Sequence, residues 1–188
     1  MLRRAVHVAT TNVGKLNELR LLAANYGLEL IPVEVPKIEV QCDDLEFIAL
    51  YAALTASAYV NKALMVEDSG LFIKALNGFP GSMSSYVYKK LGVSGILKLM
   101  EGVKCREAYF KSVIAYSDPV YGVKVFSGVV YGDISDSARG SGGFGFDPIF
   151  IPKGHVKTFA EMSVEEKNRL SHRGLAFRKF AEWFNKHF

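Results

Sequence analysis

Ala5-Val6-His7-Val8-Ala9-Thr10-Thr11-Asn12-Val13-Gly14-Lys15-Leu16 reads as a strand, a turn and the start of a helix. Ala5 to Ala9 is a short apolar run, Thr10, Thr11 and Asn12 carry side chains that cap helices, and Leu16, Leu19, Leu22 and Ala23 then recur at helical spacing. Outward from this unit, Leu28 to Val35 is a second strand that ends at Pro36. A long helix is expected from about Asp44 to Asn61, with Phe47, Ile48, Tyr51, Leu54 and Ala58 on one side. Ala63 to Val66 is a further strand that stops at Glu67-Asp68-Ser69-Gly70. This βαβα order predicts an α/β fold, a sheet with helices packed against it.

The middle of the chain has a different pattern. After the turn cluster Asn77 to Gly81, short helices are predicted around Ser84 to Lys90 and Gly95 to Met100. Ala108 to Tyr116 and Tyr121 to Tyr131 read as long, partly alternating strands in an antiparallel hairpin around Ser117 to Gly122. Gly140, Gly142, Gly143 and Gly145 form a flexible loop, and Ile149 to Ile151 a last strand. No Pro/Ser-rich linker, repeat or low-complexity segment separates these parts, so residues 1–188 are read as one domain with two lobes around a cleft.

Composition excludes several classes. With 49% hydrophobic and 22% charged residues in 188, the chain is neither disordered nor fibrous. Cys42 and Cys105 have no CxxC spacing, which removes a disulfide framework, a zinc ribbon and a thioredoxin-type motif. The most apolar stretch, Phe47 to Val60, is 14 residues long, short of the ~20 that cross a bilayer. Ala5 to Ala9 is too short for the apolar core of a secretory signal. A cytoplasmic protein with no membrane partner is expected. The net charge of +4 lies wholly in the last 36 residues, with 8 Lys+Arg against 4 Asp+Glu. Clustered cations suit phosphates, and because Glu161, Glu165, Glu166 and Glu182 interrupt the cluster, a small polyphosphate fits better than a nucleic-acid duplex.

Four groups of residues carry candidate chemistry. Thr10 to Lys15, where a strand feeds a helix, offers free backbone N–H groups, the positive end of a helix dipole and a lysine, which together can cradle phosphate; the alternative is a capped helix with a surface lysine. It is not a Walker loop, because Ala9 and Leu16 stand at two of that motif's required positions. Glu39 and the pair Glu67-Asp68 are candidate Mg²⁺ ligands, since that ion commonly takes one or two carboxylates plus substrate phosphates; acidic residues also end many strands in ordinary turns. Gly143-Phe144-Gly145-Phe146-Asp147 can present aromatic faces on which a base stacks, or its rings can plug a core. In Ser163 to Arg173, Ser163 and Glu166 form a capping box. On a straight helix His172 and Arg173 would lie about 140° and 240° around from Lys167. They converge only if the helix breaks, and an interruption is predicted near Leu170 to Ser171. The alternative is one uninterrupted amphipathic helix.

Taken in order, Thr10-x-Asn12-x-x-Lys15, Glu67-Asp68-Ser69-Gly70-Leu71, Gly78-x-Pro80-Gly81, Gly145-Phe146-Asp147-Pro148, Thr158-Phe159-Ala160-Glu161-Met162, Glu166-Lys167-Asn168 and Ser171-His172-Arg173 resemble the inosine triphosphate pyrophosphatases, over about Val6 to Phe180. The resemblance implies an elongated mixed α/β sheet with flanking helices around a central cleft. It also implies Mg²⁺-dependent hydrolysis of ITP, dITP and XTP to monophosphate and pyrophosphate by a homodimer. Carried over by motif, Thr10, Thr11, Asn12, Val13, Gly14 and Lys15 hold the triphosphate, and Glu39 and Asp68 hold the metal. Asp68 is also the proton acceptor, and Ser69 contacts substrate. Phe144, Gly145, Phe146 and Asp147 stack on and border the base, Lys167 contacts the nucleotide, and His172 and Arg173 reach the base or neighbouring phosphates. Thr11 stands where the family usually has Gly, and Leu50, Tyr51 and Ala52 where many members carry a lysine. Two rival readings are a nucleic-acid-binding protein using the basic C-terminal segment and a non-catalytic nucleotide sensor of the same fold.

Overall fold

The computed structural model describes residues 4–36, 38 and 40–188. Glu39, an expected metal ligand, lies outside them. The chain is a mixed α/β fold. Its first half alternates β1 (Arg4–Ala9), α1 (Val13–Ala24), β2 (Leu28–Pro32), α2 (Leu45–Val60) and β3 (Leu64–Ile73). There follow β4 (Pro80–Gly81), α3 (Ser84–Leu99), β5 (Glu107–Asp118), β6 (Gly122–Ile134), β7 (Phe150–Pro152), α4 (Val164–Leu170) and α5 (His172–His187). Strand order in the seven-stranded sheet is β2-β1-β3-β5-β6-β7, with β4 on β3. β1 runs parallel to both β2 and β3, whereas β3–β4 and β6–β7 are antiparallel.

Local chemistry sets most boundaries. Asn12 caps α1, its Oδ1 accepting from the Lys15 N–H at 3.0 Å. Asp44 caps α2 in the same way, and Asn61 closes that helix in the left-handed conformation. The two short helices expected after Ser84 are the halves of α3, broken at Gly92, whose φ of 63° no helix accommodates. The turn between β5 and β6 is organised by Asp118, which accepts from the N–H groups of Val120 and Tyr121.

Two strand ends differ from expectation. β2 stops at Pro32 rather than Val35, because its parallel partner β1 ends one residue beyond the last register pair, Val8 with Pro32. β3 does not stop at Glu67; it continues through Glu67-Asp68-Ser69-Gly70 to Ile73. A polar run remains extended there because Glu67 finds charge partners in the interior, and because Gly70 has no side chain to collide with the carbonyl of Gly81 on β4.

The chain divides into two compact units, and each has its own core. Unit 1 comprises residues 1–68, 112–128 and 173–188; unit 2 comprises 69–111 and 129–172. In unit 1, Val6 and Val8, Leu19 and Leu22 of α1, Met65, Ile114, Tyr116, and Phe177, Phe180 and Phe184 of α5 form one cluster. Burying each such ring or branched chain is worth roughly 1.5–3 kcal/mol. In unit 2, Leu71, Ile73, Ile96, Met100, Phe110, Phe146, Phe150 and Phe159 form the other.

Candidate active site

Strand direction singles out one end of unit 1. From β1 the chain crosses through α1 to β2 on one side, then through α2 to β3 on the other, with both neighbours parallel to β1. The connections diverge at the carboxyl end of β1, the position where open α/β sheets bind ligands. There the turn Thr10-Thr11-Asn12 leads into α1, with Thr11, Asn12 and Val13 exposed. The Asn12 N–H donates to Thr10 Oγ1 at 3.2 Å, and its carbonyl accepts the first helical bond from Leu16. The first-turn N–H groups of a twelve-residue helix thus face the turn. On the far side of the turn, Ala52 and Thr55 of α2 help to line a small, largely apolar pocket with Thr10, Thr11, Val33 and Val66.

Beyond the end of β1, residues 67 and 68 of β3 bring their carboxylates to this turn. Lys15 Nζ lies 2.9 Å from Glu67 Oε2 and 3.5 Å from Asp68 Oδ1. Glu67 Oε1 accepts from Ser112 Oγ of β5 at 2.6 Å and lies 3.2 Å from Arg173 Nε at the start of α5. Arg173 in turn bonds Glu18 of α1 at 2.5 Å. Burial alone would raise the Glu67 carboxyl; Arg173, then Lys15 and the Ser112 hydroxyl, outweigh it and hold the group far below the ordinary carboxylate range. Glu67 is therefore a fixed negative charge. The Asp68 side chain keeps 19% of its surface accessible, as the only member of this cluster of acids, among the described residues, that solvent reaches appreciably.

Among the described residues no three His, Cys, Asp or Glu side chains converge into a preformed metal cage. The donor set nevertheless suits Mg²⁺, which retains waters and substrate oxygens and needs only one or two protein carboxylates. Asp68 supplies an accessible one, whereas Glu67 is committed to Lys15, Arg173 and Ser112.

In unit 2 the glycine loop is organised by a second buried pair. Lys167 Nζ lies 2.6 Å from Asp147 Oδ2, and that same oxygen accepts from the Phe144 N–H at 2.7 Å. The ammonium also sits over the rings of Phe144 and Phe159, at 5.1 and 5.5 Å from their centroids. Gly143 has φ of +69°, and a side chain there would run into the Asp147 carboxylate. The capping box of Ser163 and Glu166 is present. The predicted interruption is present too: Ser171, with ψ of 155°, separates α4 from α5.

Four of the expected substrate contacts lie in buried surroundings. Phe146 is 3% exposed and lies edge-on to Tyr88 in the core, so its ring serves packing; Phe144 is the half-buried ring of the pair. Asp147 is buried and organises the loop backbone. His172 is stacked on Phe110, centroids 4.6 Å apart and planes at 9°. Arg173, expected at the base, is 2% exposed and held between Glu18 and Glu67, whose carboxylates offset the cost of burying its charge. Sequence reasoning gave no role to Glu18 or Ser112; the only signal was helical spacing, which puts Glu18 one turn beyond Lys15 on the same face.

Comparison with known proteins finds relatives over nearly the whole chain. The sequence model of the Ham1 family matches residues 6–183. The dITP/XTP pyrophosphatase of Hyperthermus butylicus is 48% identical over 184 residues, covering 98% of this chain and 96% of the relative. That of Thermococcus kodakarensis is 51% identical over 177 residues, covering 94% and 95%. Among solved structures, the Ham1 protein of Staphylococcus aureus superposes with a TM-score of 0.84 at 28% identity, over 98% of this chain and 100% of that one. The Coxiella burnetii HAM1 protein gives 0.83 at 31%, over 97% and 99%.

Proposed function

The chain belongs to the Ham1 family, and from that premise we propose that it is a nucleoside triphosphate pyrophosphatase acting on noncanonical purine nucleotides, dITP, XTP and ITP, releasing the monophosphate and pyrophosphate. The names of relatives about 50% identical over nearly the whole chain support the activity. The observation that carries the chemistry is the grouping of Lys15, Glu67 and Asp68 at the turn between β1 and α1.

In this reading the triphosphate lies against Thr10 to Lys15, where the N–H groups of α1 and the Lys15 ammonium meet the charge that builds on the departing pyrophosphate. Mg²⁺ would be held by Asp68 together with Glu39, and supplies charge neutralisation at the phosphates. Asp68, the accessible carboxylate, accepts the proton of the attacking water, and Ser69 contacts substrate beside it. Glu67 does not exchange protons near neutrality; it holds Lys15 in place. Phe144 and Gly145 border the base, with Asp147 and Lys167 shaping that loop. Because Arg173 is held by Glu18 and Glu67, and the Phe144 N–H by Asp147, the backbone N–H groups of Gly143, Gly145 and Phe146 are assigned to the position-6 oxygen that hypoxanthine and xanthine carry in place of the adenine amino group. A homodimer in the cytoplasm completes the reading, with the assembly checked by sedimentation.

The test is pyrophosphate release from dITP, XTP, ITP, GTP and ATP with Mg²⁺ and with chelator. The expected result is metal-dependent turnover of the first three and little of the last two. Binding of ITP without pyrophosphate release would identify a sensor instead.

A further inference from the structure

The ion pairs of unit 1 form a closed circuit. Lys15 on α1 reaches Glu67 on β3, Glu67 reaches Arg173 on α5, and Arg173 returns to Glu18 on α1. Lys15 and Glu18 are three residues apart on one helix and so share a face. Glu67 is the node of the circuit, and Ser112 pins it from a fourth element, β5, by a 2.6 Å hydrogen bond in which both side chains are fully or almost fully buried. A carboxylate held from three directions has little freedom to rotate, and the ammonium it holds lies 3.5 Å from Asp68. Ser112 reaches Lys15 through Glu67, and Glu18 reaches it through Arg173 and Glu67.

Resting on the pyrophosphatase reading, we propose that Ser112 and Glu18 are positioning residues, acting through Glu67 and Arg173 to keep the Lys15 ammonium beside the Asp68 carboxylate before substrate arrives. Ser112→Ala removes one neutral hydroxyl and leaves every charge of the circuit in place. Small displacements of a catalytic group lower rate steeply, so kcat with dITP should fall about ten-fold while KM stays within about two-fold. Acetylation of Lys15 by acetic anhydride, followed by peptide mass spectrometry without nucleotide, should become several-fold faster. Ser112→Thr keeps the hydroxyl and should restore both quantities; Glu18→Gln, one step further round the circuit, should shift both in the direction of Ser112→Ala.

Unchanged kcat in Ser112→Ala overturns the proposal, as does a kcat loss with Lys15 labelling unaltered, which would mark a merely structural role. If Ser112→Ala fails to fold, Glu18→Gln decides by the same two readouts. If the wild-type protein releases no pyrophosphate at all, the functional reading fails, and the labelling comparison still decides whether Ser112 holds Lys15.

Discussion

In unit 2, Asp147 and Lys167 form a buried pair whose charges cancel: one acid and one base, each almost wholly enclosed, with the Phe144 N–H satisfying the acid further. In unit 1, Lys15 and Arg173 are set among Glu18, Glu67 and Asp68, two bases against three acids among the described residues, and the circuit opens to solvent at Asp68. The same residue types therefore do different work. A buried acid–base pair fixes the shape of a loop. A branched cluster with a surplus negative charge at its accessible member is prepared to receive a proton or a cation. The difference lies in stoichiometry and in which end meets water.

The comparison breaks first at Asp68. Asp68→Asn should lower kcat by at least about a thousand-fold, roughly 4 kcal/mol of barrier, with the melting temperature preserved; near-normal pyrophosphate release would remove the distinction between the clusters. Next come the buried charges. Lys167→Met should cost about 3–5 kcal/mol in denaturant unfolding by leaving Asp147 without its base, whereas Asp147→Leu with Lys167→Met should recover most of that loss, as replaced buried pairs often do. The matching double variant in unit 1, Glu67→Leu with Arg173→Met, should recover little, because Lys15 and Glu18 are left behind. Equal recovery in the two units would show that the circuit is only two independent pairs.

Acid sharpens the contrast further. The Glu67 carboxyl is lower in the folded chain than its ordinary value of 4.5, so the unfolded chain takes up the proton first as pH falls. The stability this residue contributes is complete above about 4.5 and is lost progressively below it. Urea midpoints measured from pH 6 downward should fall less steeply in Glu67→Gln than in the wild type. A smaller effect is expected from Gly143→Ala, about 1–3 kcal/mol from the left-handed φ and the collision with Asp147. The smallest belongs to the exposed pair Lys74–Glu107, whose members are 2.7 Å apart at the surface; replacing both with Ala should leave the melting temperature and dITP turnover unchanged.

How much of the site could be read beforehand varies with how local its cause is. The Asn12 cap, the Ser163–Glu166 capping box and the break at Ser171 depend on atoms within a few residues of each other, and all three follow from residue type and spacing. Lys15 and Asp68 could be named as candidates, but not the 3.5 Å between them. Phe144 and Phe146 are two residues apart in one motif, yet one ring is half-buried and the other joins the core; no periodicity distinguishes them. Glu67 could be seen only as half of an acidic pair. Its commitment to Arg173, 106 positions later, and to Ser112 on another strand leaves no mark in its own neighbourhood.

Residue order alone determined where helices begin, where they break and that strands and helices alternate at the start of the chain, because hydrogen-bond caps and apolar spacing act over one or two turns. Only the folded chain decided which charged groups are buried together and which one carboxylate remains in reach of water, because desolvation and ion pairing depend on segments that meet through the sheet, far apart along the backbone.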